Sequence, residues 1–312
     1  MKCIVTGAAG FIGNKLVNRL KKDGYDVIGL IHKNQPKEKV KDVKYKNCDI
    51  TDRASVEKAF EKCDFVFHCA AYVKDYGPKD LFYKINYEGT KNIYEESKKY
   101  NIKKFVFLSH IIYESEEKFS MYSKTKMLSE NFLLEKFKEN DFPVTIIRPG
   151  NVYGPGATTW VLRPVNSIKN NRVTLIEHGN GIFLHTYVDN LIDAIVSVLK
   201  NEVNGEVIDI TDGDNSHTWG DYLNKISEMC GKGKIKRNLS KRQAMIIAKL
   251  MMLLNKIFKI KPWVTPMAVN IFTNTKNFDI DKARDLLDYK PKIDYTKGIS
   301  NVEKWLKKEG YI

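Results

Sequence analysis

At 312 residues, 43% hydrophobic and 29% charged, the chain is long enough for a large α/β unit plus a smaller one, and its composition excludes a disordered protein. No uncharged apolar run approaches the roughly 18 residues of a membrane span, and no signal-peptide-like segment precedes the first apolar strand, so a cytoplasmic location is expected. The formal charge of +14 is concentrated from Gly231 to Phe278, where there are eleven Lys and Arg and no acid, which argues for one local basic feature and against a nucleic-acid-binding surface.

Lys2 to Thr6 reads as a buried strand, and Phe11, Ile12, Leu16, Val17 and Leu20 recur at helical spacing, so Gly7, Gly10 and Gly13 stand at a strand-to-helix junction. Glycines there permit a tight turn, close approach of the backbone to a pyrophosphate, and close packing of helix on strand. The helix N-terminus then faces the anion, and a dinucleotide is the expected ligand. Asp26 to Ile31 follows as the second parallel strand. Ile31, His32 and Lys33 stand at its end, where an acid would bind the ribose 2′-OH of NAD, so NADP is favoured over NAD.

Cys48 to Asp52 leads into a helix capped by Thr51 or Asp52, Asp64 to His68 is another short apolar strand, and Asp80 to Tyr100 reads as one long helical pattern. Lys104 to Ser109 is an apolar strand ending in a hydroxyl. Tyr122-Ser-Lys-Thr-Lys126 opens a helix running to about Phe137, and Val144 to Arg148 is a late strand. Cys3, Cys48, Cys63, Cys69 and Cys230 form no Cys-x-x-Cys pair, so free thiols and no metal are expected.

Tyr122 and Lys126, at i and i+4, share one helix face, so the ammonium is expected close to the phenol and to a cofactor ribose, with both residues at the cofactor. A phenol with an ordinary pKa near 10 is a poor base at neutral pH, and a nearby ammonium stabilises its phenolate, so the pair forms an acid/base device. Ser109 would hold a substrate oxygen against Tyr122 and place the carbinol carbon for hydride transfer. The same spacing also occurs at Tyr87/Lys91, Tyr94/Lys98 and Tyr100/Lys104. Only Tyr122 follows a strand that ends in serine, so position selects it.

In this order the Gly-x-x-Gly-x-x-Gly turn, Asn86-Tyr-Glu-Gly-Thr90, Ser109, Tyr122, Lys126 and Arg148-Pro-Gly-Asn-Val-Tyr-Gly-Pro-Gly156 resemble an extended short-chain dehydrogenase/reductase of the NAD-dependent epimerase/dehydratase group. The resemblance implies an α/β fold: a Rossmann-type doubly wound parallel sheet over 1–150, then a small, mostly helical substrate region over 151–312, with about 182–212 returning to the sheet. It implies Phe11 and Ile12 in the phosphate turn, Asp49 and Ile50 at the adenine, and Ala70 and Ala71 along the cofactor. Asn86 would brace the active site, Pro149 and Val152 would border the nicotinamide, and Asn151 would face the substrate. A homodimer through the helices around 80–100 and 120–137 is implied as well.

Departures from the pattern narrow the chemistry. His110 and Ile111 stand where sugar-nucleotide dehydratases carry an Asp-Glu pair, which disfavours a dehydratase. Phe183 stands where many nucleotide-sugar epimerases carry an arginine for the diphosphate, although Arg163 or Arg172 could serve instead. Phe183 and Tyr187 are accordingly expected at an apolar substrate. The segment Thr186-Tyr-Val-Asp-Asn-Leu-Ile-Asp-Ala194 and Phe278-Asp-Ile-Asp-Lys-Ala-Arg284 look closer to 3β-hydroxysteroid dehydrogenase-like and dihydroflavonol-reductase-like relatives. Between Tyr113 and Tyr122 the chain is shorter than in the epimerases, at the lip of the site.

The expected function is an NAD(P)-dependent oxidoreductase interconverting a secondary alcohol and a ketone on a fairly apolar small molecule, with a nucleotide-sugar epimerase and a non-catalytic NAD(P)-sensing protein as alternatives. Residues 241–259 place Arg242, Lys249 and Lys256 on one stripe of an otherwise mostly apolar helix. A helix packed in the substrate region is the plainest reading, and peripheral contact with an anionic membrane, or a roof over a greasy pocket, is the sharper one.

Overall fold

The computed structural model describes residues 1–36, 39–112 and 120–312; the short lip that begins at Tyr113 lies largely outside them. The first strands are β1 (Lys2–Thr6), β2 (Asp26–Ile31), β3 (Lys44–Asn47), β4 (Phe65–His68), β5 (Lys104–Leu108) and β6 (Val144–Pro149). Beyond them come β7 (Asn151–Tyr153), β8 (Leu175–Ile176), β9 (His185–Tyr187), β10 (Val207–Ile210) and β11 (Asn238–Leu239). Seven strands form one parallel sheet in the order β3-β2-β1-β4-β5-β6-β10, while β7 pairs with β9 and β8 with β11 outside it. The direction of winding reverses between β1 and β4, the point at which open α/β sheets bind their ligands.

The helices are α1 (Phe11–Lys22), α2 (Arg53–Ala59), α3 (Lys79–Phe82), α4 (Gly89–Lys98), α5 (Met121–Asn140), α6 (Arg163–Lys169), α7 (Val188–Ser197), α8 (Trp219–Met229), α9 (Lys241–Phe258), α10 (Pro266–Phe272), α11 (Asp281–Leu287) and α12 (Tyr295–Lys308). Alternate side chains of each central strand enter opposite layers, which is why the strands read as continuous apolar runs. Cys3, Val5, Val27 and Phe67 pack with Leu16 and Leu20 of α1, Leu191 and Ile195 of α7, and Ala283 of α11. Ile4, Ile28, Val66 and Phe105 pack with Val56 of α2, Ile93 and Tyr94 of α4, and Leu133 of α5. A third core, around Phe183, Trp219 and Tyr222, joins α6, α8 and α12 in the later part of the chain.

The segment 182–212, expected to return to the sheet, gives β10 to the sheet and α7 to one covering layer, whereas β9 pairs with β7 instead. Asp52, not Thr51, caps α2, its carboxylate accepting from the Ala54 N–H at 3.1 Å. The long helical pattern over 80–100 is interrupted: a π-helical stretch, Tyr83–Glu88, separates α3 from α4 and contains Asn86. Such bulges are frequent at functional sites. No helix among the described residues is long and apolar enough to cross a membrane.

Candidate active site

The glycine turn fits a pyrophosphate for steric reasons visible at each position. Gly7 has φ +68°, and a Cβ there would lie 2.8 Å from the Ala70 nitrogen; a Cβ on Gly13 would collide with the Gly7 carbonyl oxygen. The Gly10 N–H donates to that carbonyl at 2.9 Å and closes the turn, so α1 begins directly over the end of β1. Bare backbone at this place is what a dinucleotide cradle requires.

A cleft of about 1050 Å³ runs from this turn along the ends of the strands into the later part of the chain. Its lining includes Gly7, Gly10, Phe11, Ile12, Gly13, His32, Lys33, Asp49, Ile50, Ala70, Ala71, Pro149 and Val152, all expected at the cofactor, together with Ser109, Tyr122 and Asn151. Asp49 holds its loop: Oδ1 accepts from the Thr51 N–H and hydroxyl at 2.9 and 2.8 Å, and Oδ2 faces His32 Nε2 at 3.6 Å. Burial alone would raise the Asp49 carboxyl, but the Thr51 hydrogen bonds and His32 hold it below its ordinary value.

Asn86 is buried behind the cleft rather than in its wall. Its Oδ1 accepts from the Tyr72 N–H at 2.7 Å and its Nδ2 donates to Thr125 Oγ1 at 3.1 Å, which ties the loop after β4 to the turn of α5 that carries Tyr122 and Lys126. The Asn86 carbonyl accepts from the hydroxyls of Thr90 (2.6 Å) and Ser129 (2.8 Å). A second chain of hydrogen bonds feeds the same carbonyl. Thr6 Oγ1 accepts from the Ala70 N–H at 3.1 Å and lies 2.7 Å from His68 Nδ1, while His68 Nε2 lies 3.0 Å from Thr90 Oγ1. Since Thr90 donates to Asn86, proton counting makes His68 the neutral Nε2–H tautomer. Burial, with Lys126 nearby, pulls its pKa down to about 3. Sequence reasoning missed this role of His68, although a histidine ending a wholly apolar strand was a visible signal.

Ser109 Oγ and Asn151 Nδ2 are buried at the cleft and have no hydrogen-bond partner among the described residues. The Tyr122 ring lies 4.7 Å from that of His110, whose Nε2 is 3.0 Å from Ser123 Oγ. Burial, then Lys126 and Arg148, pulls the His110 pKa down to about 3, and Ile111 beside it is buried and apolar.

Three positions differ from expectation. Lys126 does not line the cleft: it is buried, its Nζ donates to the Leu108 carbonyl at 2.5 Å and sits 3.7 Å over the Phe107 ring. Burial pulls its pKa down to about 7 against the opposing pull of Glu130. Phe183 lies in the third core, stacked on Tyr222 at 4.1 Å, and Tyr187 is buried with its hydroxyl accepting from Asn301 Nδ2 at 3.1 Å. Neither wall of the cleft includes them; Trp160, Arg163, Arg172, Trp263, Met267 and Phe272 stand there instead. Of the rival tyrosine–lysine pairs, Lys104 is tied to the Asn201 carbonyl at 2.9 Å and Lys91 lies 5.2 Å over Tyr87 on an exposed face.

Outside the cleft, one group of possible metal ligands occurs among the described residues: His185, Asp214 and His217. Tyr295 stacks on His217 at 3.7 Å, and Asp212 accepts from His185 Nδ1 at 2.9 Å.

The chain is 23% identical to mouse (Mus musculus) sterol-4-alpha-carboxylate 3-dehydrogenase, decarboxylating, over 94% of this chain and 87% of that one. It is 25% identical to 3-beta-hydroxysteroid dehydrogenase of Mycolicibacterium neoaurum, over 93% and 87%. Its fold matches the UDP-glucose 4-epimerase of Thermotoga maritima with a TM-score of 0.78 at 22% identity, over 99% of both chains. The sequence profile of the NAD dependent epimerase/dehydratase family matches residues 3–211, from the first strand of the sheet to its last. That span contains the glycine cradle and every hydroxyl gathered at the cleft, and the chain therefore belongs to the NAD-dependent epimerase/dehydratase family.

Proposed function

We propose that the protein is an NAD(P)-dependent oxidoreductase that interconverts a secondary alcohol and a ketone on an apolar small molecule. The observation that carries the reading is the pair of buried, unpartnered polar atoms, Ser109 Oγ and Asn151 Nδ2, at a cleft shared with Tyr122. Buried polar groups left without partners are costly, and a substrate oxygen would satisfy them. Ser109 orients that oxygen, and Tyr122 takes the proton from the alcohol or returns it to the ketone. When bound, the nicotinamide supplies the hydride chemistry. Lys126 lies one helical turn beyond Tyr122, and its long stem can carry Nζ from the Leu108 carbonyl toward the phenol and a ribose. The sterol dehydrogenases among its relatives support a ring alcohol as substrate, as does the apolar wall of Trp160, Trp263, Met267 and Phe272. Incubation with NADP⁺ and a panel of 3β-hydroxysteroids tests this: ketone must form, and Ser109→Ala must slow it.

A nucleotide-sugar epimerase is the second reading, because Arg163 and Arg172 line the substrate half of the cleft and suit a diphosphate. Arg163 is already paired with Asp75 at 2.5 Å, which favours the first reading. For the cofactor we favour NADPH, since His32 and Lys33 stand at the adenosine end and Asp49 is engaged with Thr51. Fluorescence titration should give tighter binding of NADPH than of NADH, and Lys33→Ala should narrow the difference; equal affinities would reverse the assignment. We further take the protein to be a cytoplasmic homodimer, with peripheral membrane contact through 241–259. Five free cysteines suit a reducing compartment, and half-exposed Met127, Leu128, Phe132 and Leu134 on α5 suit a self-interface. Dividing the labour, residues 1–150 would carry the cofactor and 151–312 most of the substrate contacts.

A further inference from the structure

Helix α9 is built to be a helix and yet leaves one whole row of its apolar side chains exposed. Ser240 and Gln243 form a reciprocal cap at its start, Lys259 ends it in the left-handed conformation, and only Ala244 and Ala248 are buried along its length. Those two alanines, with partly buried Met245 and Ile247 beside them, dock it on Val264 and Val269. A row at i, i+4, i+7 and i+11, made of Ile246, Leu250, Leu253 and Ile257, is more than half exposed, at 59, 53, 52 and 59%. It extends about 16 Å along the axis at 1.5 Å per residue. Phe258, Ile260 and Trp263 continue the exposed apolar surface beyond the helix. These seven residues are most of the large exposed hydrophobic side chains among the described residues.

Charge decides what covers this face. Arg242, Lys249 and Lys256, all exposed, run seven residues apart, on a row about 70° around the helix from the apolar one at 100° per residue. Lys259 and Lys261 follow, and no acid occurs between Gly231 and Phe278. Glu177, at the start of α9, accepts from the Lys241 N–H. A second copy of this face would oppose its own cations, whereas an anionic lipid surface matches both rows at once. Continuity with the cleft adds the functional link. Trp263 is 55% exposed and also lines the cleft, next to Val264, Met267 and Ala268.

We infer that the face made by Ile246, Leu250, Leu253, Ile257 and Trp263 docks on an anionic membrane, and that the cleft takes its apolar substrate from the bilayer past Trp263. The entry half of this inference rests on the oxidoreductase reading; the docking half does not.

The test uses the full chain without cofactor and vesicles of phosphatidylcholine, with and without phosphatidylglycerol. The protein should sediment with the anionic vesicles, much less with the neutral ones, and high salt should release it. Leu250→Glu with Leu253→Glu, both at exposed positions, should weaken binding at least tenfold in a protein with unchanged circular dichroism. Trp263 emission should shift to the blue on binding, and Trp263→Phe should remove the shift. Failure to bind anionic vesicles overturns the docking inference, and so does self-association without lipid that the Glu substitutions abolish. For entry, the same double variant should raise KM for a 3β-hydroxysterol dissolved in the vesicles and leave kcat unchanged. An unchanged KM overturns entry from the bilayer, while a wild-type protein that binds vesicles and turns over no sterol contradicts the oxidoreductase reading alone.

Discussion

Tyr122 and Lys126 have separable tasks. Tyr122→Phe removes the hydroxyl we propose as the proton carrier and keeps the ring beside His110, so turnover should fall by about 100- to 10,000-fold with cofactor affinity nearly unchanged. A variant within a few-fold of wild type on the same substrate would mean that another group carries the proton. Lys126 makes a prediction about stability. Burial lowers its pKa from an ordinary 10.5 to about 7, so between these values the unfolded chain holds a proton that the folded chain has released. Cofactor-free protein should therefore gain stability as pH rises through that window, and Lys126→Met should flatten the rise. Urea midpoints across the window measure it; parallel slopes for the two proteins would remove the assignment. The motif around Tyr122 was legible because it depends on local order, a strand ending in Ser109 and then a capped helix. The resting place of the ammonium was not, because it depends on the Leu108 carbonyl and the Phe107 ring of a different element.

Among elements, the strand, glycine turn and helix at the start of the chain are the most tightly specified. A Cβ at Gly13 meets backbone that cannot swing away, whereas one at Gly10 meets the Gly7 oxygen at 3.2 Å. Gly13→Ala should thus cost about 1–3 kcal/mol as α1 is pushed from β1, and should weaken cofactor binding far more than Gly10→Ala does. Thermal melts and NADPH titration of both variants check the order, and equal effects would contradict it. Periodicity found α9 as readily as α1, since the apolar repeat over 241–259 marks it plainly. What periodicity could not give is how much of that apolar face the fold covers: a packed helix is the plainest expectation, and one face does pack, through Ala244, Ala248, Met245 and Ile247, while the row from Ile246 to Ile257 stays exposed. Phe183 shows the same boundary. Alignment put it at a substrate, but its ring faces Tyr222, thirty-nine residues later in the chain, and no local pattern reports that contact.

On the scale of the whole molecule, the parallel sheet sets the position of the chemistry. Strands β1, β4 and β5 end together, which brings Gly7, Ala70 and Ser109 to one crevice from widely separated parts of the sequence. The later chain then closes the crevice with an apolar wall, and that wall separates the two enzymatic readings more sharply than the shared Ser109 and Tyr122 do. The most direct measurement is the ratio of reduced nicotinamide to converted substrate, followed by ultraviolet absorbance, with NADP⁺ or NAD⁺ supplied alongside a 3β-hydroxysteroid in one arm and UDP-glucose in the other. One reduced cofactor should appear for each steroid oxidised to its ketone, with no reaction of the sugar nucleotide. Epimerised UDP-sugar with no net change in cofactor, and an untouched steroid, would contradict the oxidoreductase reading.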